Sequence, residues 1–172
     1  MTRLPAPGTP AFDALTTGTP AARLREQSLG RVIGYQLAQA SVVADAVFAD
    51  VVQRPDELRM VEFSLLALLL ANDEASPVQI ATALRVSRSY ITNALDRLEG
   101  RRLVQRSAHE TDGRGQKVRL TAKGLAMIQQ STARLLEAEA LAYSTVLSPT
   151  EQLMLAELLH KLARARRSQR SG

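Results

Sequence analysis

From residue 29 onward, apolar residues recur at every third or fourth position, which places them on one face of a long helix. They are Leu29, Ile33, Leu37, Ala40, Ala44, Val47, Phe48 and Val51. Pro55 predicts the end of this helix, because Arg54 before it is disfavoured in helical backbone angles. A second, largely buried helix is predicted over about 57–71. Its apolar run is shorter than the ~20 residues that a membrane span needs.

Two four-residue motifs mark the starts of later helices, SPVQ at 76–79 and SPTE at 148–151. In each, serine is the N-cap, proline fits the first helical position, and the Gln or Glu side chain bonds back to the serine backbone. The second motif opens a helix with a leucine stripe and a basic end. The stripe is Leu155, Leu158, Leu159 and Leu162, and the basic residues are Arg164, Arg166, Arg167 and Arg170.

The segment after the first motif predicts two short helices joined by a tight turn. The first covers about 76–84, and its inward residues are Ile80, Ala81 and Leu84. The turn covers 85–87, and the second helix covers about 88–99 with a core face of Ile91, Ala94, Leu95 and Leu98. The opposite face is polar and consists of Arg88, Ser89, Tyr90, Thr92, Asn93, Asp96 and Arg97. Such a face suits the major groove of DNA, although paired short helices are also common scaffolding.

A β-hairpin is predicted directly after the second of these helices. Its strands are about 103–106 and 117–120, with Val118 and Leu120 on one face and Lys117 and Arg119 on the other. The loop between them holds Arg114 between two glycines, so that its guanidinium projects from the tip and suits a narrow minor groove. The alternative is an ordinary hairpin turn with a solvated arginine. Helix, turn, helix and hairpin in this order form a winged helix-turn-helix.

The net charge of +5 is concentrated in this part of the chain. Residues 76–124 contain ten Lys or Arg against four acids, whereas the remainder contains twelve against thirteen. A basic block of this kind is typical of a phosphate-binding surface, although a solvated basic face without a partner remains an alternative.

Composition limits the other functions that the chain can have. The absence of cysteine excludes disulfides, thiolate metal sites and thiol redox sensing. The two histidines, His109 and His160, lie far apart, and the sequence shows no catalytic triad or metal-ligand cluster, so we expect neither an enzyme nor a cofactor. Residues 1–20 are rich in Pro, Gly and Thr and predict a flexible extension rather than a signal peptide. We therefore expect a cytoplasmic protein, with no membrane as partner; a helical adaptor with a basic face is the second class considered.

The stretch IATALRVSRSYITNALDRLEGRRLVQR at 80–106, followed by DGRGQKVRLTAKG at 112–124, resembles the MarR family of winged-helix transcriptional regulators. The wing pattern D-x-R-x-x-x-x-x-L-T-x-x-G is matched at Asp112, Arg114, Leu120, Thr121 and Gly124. The resemblance implies a mainly α fold with a small β-hairpin wing, and long N- and C-terminal helices that form a dimerisation region. The domain would cover 21–167, with the winged part at about 57–124, dimerisation helices at 21–54 and 125–167, and a tail at 168–172.

The resemblance also implies a function and its residues. A homodimer would bind a pseudo-palindromic double-stranded DNA operator and repress transcription until a small aromatic or phenolic ligand releases it; an activator of the same fold is the alternative. The major-groove residues would be Ser87, Arg88, Ser89, Tyr90, Thr92 and Asn93. Arg114 would enter the minor groove with Asp112 bracing the wing, and Lys117 would also face DNA. The ligand would lie near Tyr35, Gln36, Met60 and Phe63, although each of these also fits an ordinary core or helix surface.

Two positions leave questions that the sequence does not decide. The family usually places glycine just before the leucine that follows the recognition helix, where this chain has Arg102, with Gly100 two residues earlier. We therefore expect the helix to end sooner. Glu62 is charged inside an apolar run, and pocket residue, dimer contact and solvated edge all remain open.

Overall fold

The computed structural model describes residues 29–108 and 116–165. The helices are α1 (Ile33–Phe48), α2 (Met60–Asn72), α3 (Pro77–Leu84), α4 (Arg88–Gly100), α5 (Ala122–Tyr143) and α6 (Pro149–Ala165). The strands are β1 (Glu74–Ala75), β2 (Val104–Ala108) and β3 (Gln116–Leu120). This mainly helical arrangement with a small antiparallel sheet confirms the predicted winged helix-turn-helix.

The chain divides into two compact units, residues 1–46 and 47–172. Within the first, the described residues are a 3-10 turn at Leu29–Arg31 and the greater part of α1, where the Gln36 amide donates to the Gly30 carbonyl at 3.4 Å. The division of residues 21–167 into a winged part and dimerisation helices stays a prediction. The predicted extension at 1–20 and the tail at 168–172 lie outside the described residues. Among those residues, no helix is both long and apolar enough to cross a membrane.

The prediction that Pro55 ends the first helical segment is wrong. Arg54 keeps helical angles, with φ −74° and ψ −51°, because a π-helical turn at Ala49–Gln53 comes before it. The wider turn lets the Arg54 N–H donate to the Ala49 carbonyl, five residues back. Proline has no N–H for the Val51 carbonyl, and the Arg134 guanidinium of α5 donates to that carbonyl instead, at 3.3 Å. The helical path continues to Asp56.

Glu62 caps the start of α2. One of its carboxylate oxygens accepts a hydrogen bond from the Arg59 backbone N–H at 2.9 Å, and α2 therefore begins at Met60 rather than near residue 57. The other oxygen lies 3.3 Å from the Arg97 guanidinium on α4. Glu62 is only 2% exposed, which excludes the solvated edge. The charge in the apolar run thus satisfies a helix terminus and joins α2 to α4.

Both predicted capping motifs are confirmed. Ser76 accepts from the Gln79 N–H at 3.2 Å, and the Gln79 side chain accepts from the Ser76 N–H at 2.8 Å. Glu151 makes the same return bond to the Ser148 N–H at 2.8 Å, and its hydrogen bonds with Ser148 lower the pKa of the Glu151 carboxyl. These local bonds fix where α3 and α6 begin.

The sheet has the strand order β1–β3–β2, and both strand pairs are antiparallel. The predicted hairpin is confirmed, with Val104 opposite Leu120 and Ala108 opposite Gln116. Strand β1 was not predicted, because two residues are too few to show an alternating pattern. Its pairing to β3 ties the hairpin to the start of α3.

The core of the second unit collects residues from α2, α3, α4, the hairpin and α5. The predicted core face of α4 is confirmed, since Ile91, Ala94, Leu95 and Leu98 are all buried. The other buried apolar residues are Phe48, Val52, Leu58, Leu65, Leu66, Leu69, Ile80, Ala81, Leu103, Val104, Val118 and Ile128. This shared core holds the helix-turn-helix and the hairpin as one body.

A left-handed residue ends helix α4. Arg102 has φ 59°, its N–H donates to the Glu99 carbonyl at 2.8 Å, and the Leu103 N–H donates to the Leu98 carbonyl at 2.9 Å. These bonds form a Schellman motif, in which the left-handed position is usually glycine. The helix runs through Gly100, so the expectation that it ends sooner is wrong. Arg102 occupies the place of the glycine that is usual in the resembled family.

Helix α5 starts directly against this turn. Its N-cap, Thr121, donates its hydroxyl to the Arg102 carbonyl at 2.7 Å and its N–H to the Leu103 carbonyl at 3.1 Å. A Cβ placed on Gly124 would lie 1.9 Å from the Leu103 carbonyl oxygen. Only glycine therefore allows α5 to approach the end of α4 this closely.

The three positions should respond differently to substitution. Gly124→Ala should destabilise the protein by about 2 kcal/mol or more, because backbone must move. Gly100→Ala should stabilise it by roughly 0.5–1 kcal/mol, because a helical glycine with free space gains from a side chain. Arg102→Gly should stabilise it by about 1 kcal/mol or less, by relieving the left-handed conformation. Urea unfolding of the three variants measures these differences, and equal behaviour of the two alanine variants would contradict the close approach.

Candidate nucleic-acid interface

The amino end of α4 is built by a serine cap. Ser87 is the N-cap, and its hydroxyl oxygen accepts from the Tyr90 N–H at 3.2 Å. The Ser89 hydroxyl lies 3.1 Å from the Ser87 hydroxyl. The two hydroxyls and the adjoining Arg88 are exposed. This end of the helix therefore offers donors, acceptors and a positive charge to the surface, and its helix dipole also favours an anion.

The next turn of α4 continues the polar surface. Thr92 and Asn93 are exposed, and the Tyr90 ring is 41% exposed. The Thr92 hydroxyl donates to the Arg88 carbonyl at 3.1 Å, and it keeps lone pairs for a further contact. Within the described part of the chain, the Asn93 amide has no hydrogen-bond partner. The Asn93 side chain consequently has both its amide donors and its carbonyl acceptor free to pair with a base edge.

Arg106 of β2 joins the hairpin to the outer side of α4. Its guanidinium pairs with Asp96, and its Nε lies 3.2 Å from a Glu99 carboxylate oxygen without the alignment of a hydrogen bond. The Arg106 N–H also donates to Glu99, at 3.3 Å. The arginine side chain is only 15% exposed. Its single positive charge offsets part of the negative charge of these two acids, which would otherwise repel an anion from this part of the helix.

The second ionic cluster lies at the root of the hairpin. Glu74 of β1 pairs with Lys117 and with Arg119, whose Nε lies 2.7 Å from the carboxylate. These bonds, above all the one from Lys117, hold the pKa of the Glu74 carboxyl below its usual range. An open cleft of about 420 Å³ adjoins the cluster and is lined by Glu74, Ala75, Ser76, Gln79 and Lys117. Lys117 is thus already paired, which the sequence prediction of a DNA contact did not include.

A third set of bonds holds the carboxyl end of α4. The Arg101 guanidinium donates to the backbone carbonyls of Asp56 and Glu57 at 2.7 and 3.0 Å. The Asp56 carboxylate accepts from the Ser131 hydroxyl at 2.5 Å and pairs with Arg134. The end of α4 is therefore bonded to the segment that precedes α2, and through Asp56 to α5.

These pairings leave few free cations on the winged part. Of the ten basic residues in 76–124, nine lie in the described part and Arg114 lies outside it; seven of the nine have side chains bonded within the chain. The bonded ones are Arg85, Arg97, Arg101, Arg106, Lys117, Arg119 and Lys123. Within the described residues, Arg88 and Arg102 are the ones in this set without such a bond. Much of the predicted basic surface is therefore already used in holding the fold.

The remaining predicted site residues are Asp112, Arg114, Tyr35, Gln36, Met60 and Phe63. Asp112 and Arg114, at the wing tip, lie outside the described residues. Tyr35 and Gln36 belong to the first unit, and Met60 and Phe63 to the second, so each pair is described by itself. Met60 is 44% exposed, whereas the Phe63 ring packs edge-on against Phe48 with centroids 5.6 Å apart. Phe63 is thus partly buried and packs against the core of the second unit.

Sequence reasoning missed the ionic contacts of Glu74, Arg106 and Glu62. Each joins residues more than thirty positions apart or on two different elements, and neither helical spacing nor strand alternation reports such contacts. One signal was available: Lys117 and Arg119 alternate on one strand face, and two cations side by side favour an acidic neighbour.

Comparison with known sequences gives two matches. The sequence model of the MarR family matches residues 58–115. A protein of Thauera aromatica, named as a transcriptional regulatory protein for the hcr operon, is 28% identical over 146 residues, which are 83% of this chain and 86% of that protein.

Comparison with solved structures extends the similarity over most of the chain. A Pseudomonas aeruginosa protein named as a transcriptional regulator is 30% identical, with a TM-score of 0.69, over 78% of this chain and 98% of that one. The transcriptional repressor CouR, solved on a 23-mer DNA duplex, is 29% identical, with a TM-score of 0.75, over 83% of this chain and all of that chain. The similarity thus includes helices on both sides of the winged part.

Proposed function

The chain belongs to the MarR family of transcriptional regulators, which are DNA-binding proteins and not enzymes, and we propose that it is a homodimeric repressor. It binds a pseudo-palindromic operator and is released by a small aromatic or phenolic ligand. The observation that carries the DNA-binding part is the exposed amino end of α4, where Arg88 and Asn93 have no internal bonds within the described residues. The similar repressor CouR was solved on a DNA duplex, which supports the DNA-binding part of the proposal.

In this proposal the recognition helix reads bases and the wing positions the protein. Ser87, Arg88, Ser89, Tyr90, Thr92 and Asn93 contact the major groove. Arg114 enters the minor groove, and Asp112 braces the wing. Lys117 contacts a phosphate while it remains paired with the Glu74 carboxylate. Base contacts specify the sequence, whereas phosphate contacts mainly position the protein.

Exposed apolar helix faces support the homodimer. On α6, the side chains of Leu155, Leu158, Leu159 and Leu162 are 42%, 54%, 38% and 49% exposed. Described by itself, α1 has Ile33 66% and Val42 65% exposed. Apolar surface of this extent gains about 25 cal/mol for each Å² removed from water, and a second copy of the chain supplies a matching surface.

The effector part of the proposal concerns Tyr35, Gln36, Met60 and Phe63. A tyrosine ring suits stacking with an aromatic ligand, and the Gln36 amide suits a carboxylate or hydroxyl. Release requires that the ligand bind a dimer whose recognition helices no longer match half-sites about one helical turn apart.

Removal of a base-reading residue should differ from removal of the wing arginine. On an operator selected from a random duplex library, Asn93→Ala should cost roughly 1–3 kcal/mol of binding, with much less effect on scrambled DNA. Arg114→Ala should reduce the slope of log affinity against log salt by about 1 per half-site and relax any A·T preference at the flanks. Fluorescence anisotropy across a salt series measures both.

Asn72 provides the matched amide control for that experiment. It is exposed on α2 and bonded to the Leu68 carbonyl at 2.8 Å, so Asn72→Ala should bind like the parent. If Asn93→Ala binds the selected operator with the affinity of the parent protein, the proposed role of the recognition helix is contradicted. If Arg114→Ala binds DNA with the affinity of the parent protein at every salt concentration, the wing tip makes no DNA contact.

The dimer should depend on the leucine face of α6. Leu158→Glu should shift the protein to monomer at micromolar concentration and weaken operator binding, because a charge in the interface costs desolvation. Val78→Glu, at a 45% exposed residue of α3, should leave the mass unchanged. Light scattering measures the mass; a monomeric parent that still binds the operator would contradict the dimer.

An aromatic acid or phenol should lower operator affinity. We expect compounds that raise the melting temperature, such as benzoate or a hydroxybenzoate, to weaken the gel shift, because they favour the dimer that cannot bind DNA. Cyclohexanecarboxylate is the matched non-aromatic control. The effector proposal loses its basis if every stabilising compound leaves operator binding unchanged.

A further inference from the structure

Asp56 connects the carboxyl end of α4 to the middle of α5. Its backbone carbonyl accepts from the Arg101 guanidinium at 2.7 Å, and the Glu57 carbonyl accepts from the same guanidinium at 3.0 Å. Its carboxylate accepts from the Ser131 hydroxyl at 2.5 Å and pairs with the Arg134 guanidinium, both on α5. We call Arg101, Asp56, Ser131 and Arg134 the Asp56 junction. One residue thus bonds to both helices.

The Asp56 junction is largely shielded from water. The Asp56 side chain is 12% exposed and the Arg134 side chain 35% exposed, and Ser131 is buried. A hydrogen bond between a carboxylate and a guanidinium is short and directional, and it gains strength where water is scarce. Arg134 also donates to the Val51 carbonyl at 3.3 Å, so its guanidinium is held from two sides. The junction is therefore a firm contact, unlike the exposed ion pairs on the helix surfaces.

Helix α5 is joined to the end of α4 at two separate places along its length. The first is Gly124, where the α5 backbone lies against the Leu103 carbonyl. The second is the Asp56 junction, whose Arg134 comes ten residues later in the same helix, from 124 to 134. Ten residues span about 15 Å at the usual helical rise. One contact alone acts as a pivot, whereas two contacts this far apart fix the direction of α4 relative to α5.

Helix α5 leads from the winged part towards the proposed dimer face. Ile128 in its first half is buried, whereas Leu136 and Leu141 in its second half are 64% and 75% exposed. The next element is α6, whose leucine face is assigned to the homodimer above. In such a dimer, α5 connects each recognition helix to the two-fold interface. The direction of α4 relative to α5 then determines the distance and angle between the two recognition helices.

We propose that the Asp56 junction sets the half-site spacing that the dimer recognises, with Arg101 and Arg134 as positioning residues that do not contact DNA. The inference rests on the proposed DNA-binding homodimer and adds residues outside the polar face of α4 and the wing. One base pair more or less between half-sites moves the second half-site by about 3.4 Å and turns it by roughly 35°. A firm junction penalises this displacement, and a loosened junction tolerates it.

Two single variants of the full chain loosen the junction, one from each helix. Arg134→Gln removes the charged partner of Asp56 on α5, and Arg101→Gln removes the bonds from α4. Fluorescence anisotropy measures affinity for the selected operator, for versions with one base pair added or removed between the half-sites, and for a scrambled duplex. The parent should bind the altered spacings at least about tenfold more weakly than the selected operator, because base contacts of one half-site are lost.

Each variant should reduce this spacing penalty to about threefold or less. Both should bind the scrambled duplex like the parent, since neither arginine is a phosphate contact in this proposal. A lowered stability alone would not change the ratio between two spacings, so the ratio reports positioning. The double variant should reduce the penalty no further than either single variant, because substitutions within one bonded network are not additive.

Two further variants are controls for charge and for stability. Arg54→Gln makes the same substitution at an arginine that is 71% exposed and pairs with Asp50, four residues earlier. It should keep the spacing penalty of the parent. Ile80→Val removes a methylene from a buried residue of α3, and it should lower the melting temperature without changing the penalty. Circular dichroism and light scattering of every variant measure the fold and the mass.

The outcomes separate this inference from the proposed function. If the parent discriminates between spacings and the two junction variants discriminate equally well, the inference is overturned and the DNA-binding function stands. A loss by one common factor on every duplex, a changed mass, or an effect of only one arginine also overturns it. If Arg134→Gln does not fold, Arg101→Gln decides alone.

The behaviour of the parent is decisive as well. A parent that binds its operator but tolerates every spacing overturns the role of the junction and leaves DNA binding intact. A parent that binds no duplex overturns the proposed function and this inference with it.

Discussion

The close approach of α5 to the carboxyl end of α4 is the constraint on which the winged part of the molecule depends. Gly124 has no room for a side chain against the Leu103 carbonyl, and the Schellman turn at Arg102 directs the chain from α4 into the hairpin. Arg101 bonds the same turn to the segment before α2. The direction of α4, the position of the hairpin and the start of the long helix are therefore fixed together, and a change at one is transmitted to the others.

Electrostatics within this unit is divided between folding and binding. Arg106 pairs with two acids of α4, and Glu74 pairs with two cations of β3. Exposed ion pairs of this kind contribute little to stability singly, but each of these joins two separate elements and so defines their relative position. The charge excess of residues 76–124 in the sequence consequently overstates the charge that is free for DNA. Among the described residues, the Arg88 side chain at the amino end of α4 has no internal bond, and the helix dipole at that end favours an anion.

The segment around Pro55 shows how a local rule is overridden by packing. Proline disfavours a helical residue before it, yet the π turn at Ala49–Gln53 widens the helix and Arg134 satisfies the carbonyl that proline leaves unbonded. Glu62 is a second case, since an isolated charge in an apolar run becomes a helix cap with an arginine partner. The contacts from Arg134 and Arg97 come from residues distant in sequence, so neither helical periodicity nor propensity could have predicted them. Strand β1 was not predicted for the same reason, because its pairing to β3 defines it more than its own two residues do.

The sequence by itself determined the features that depend on near neighbours. The capping boxes at Ser76 and Ser148, the buried face of α4 and the hairpin after it all follow from spacing within a few residues, and their local hydrogen bonds and alternation are confirmed. The tertiary structure decided the end of α4 at Arg102 and the partners of the basic side chains. These outcomes depend on distances between segments that are far apart along the chain, and no local pattern encodes those distances. The sequence thus determines which residues form the polar face of α4, and the fold determines which charged side chains around it are paired within the described residues.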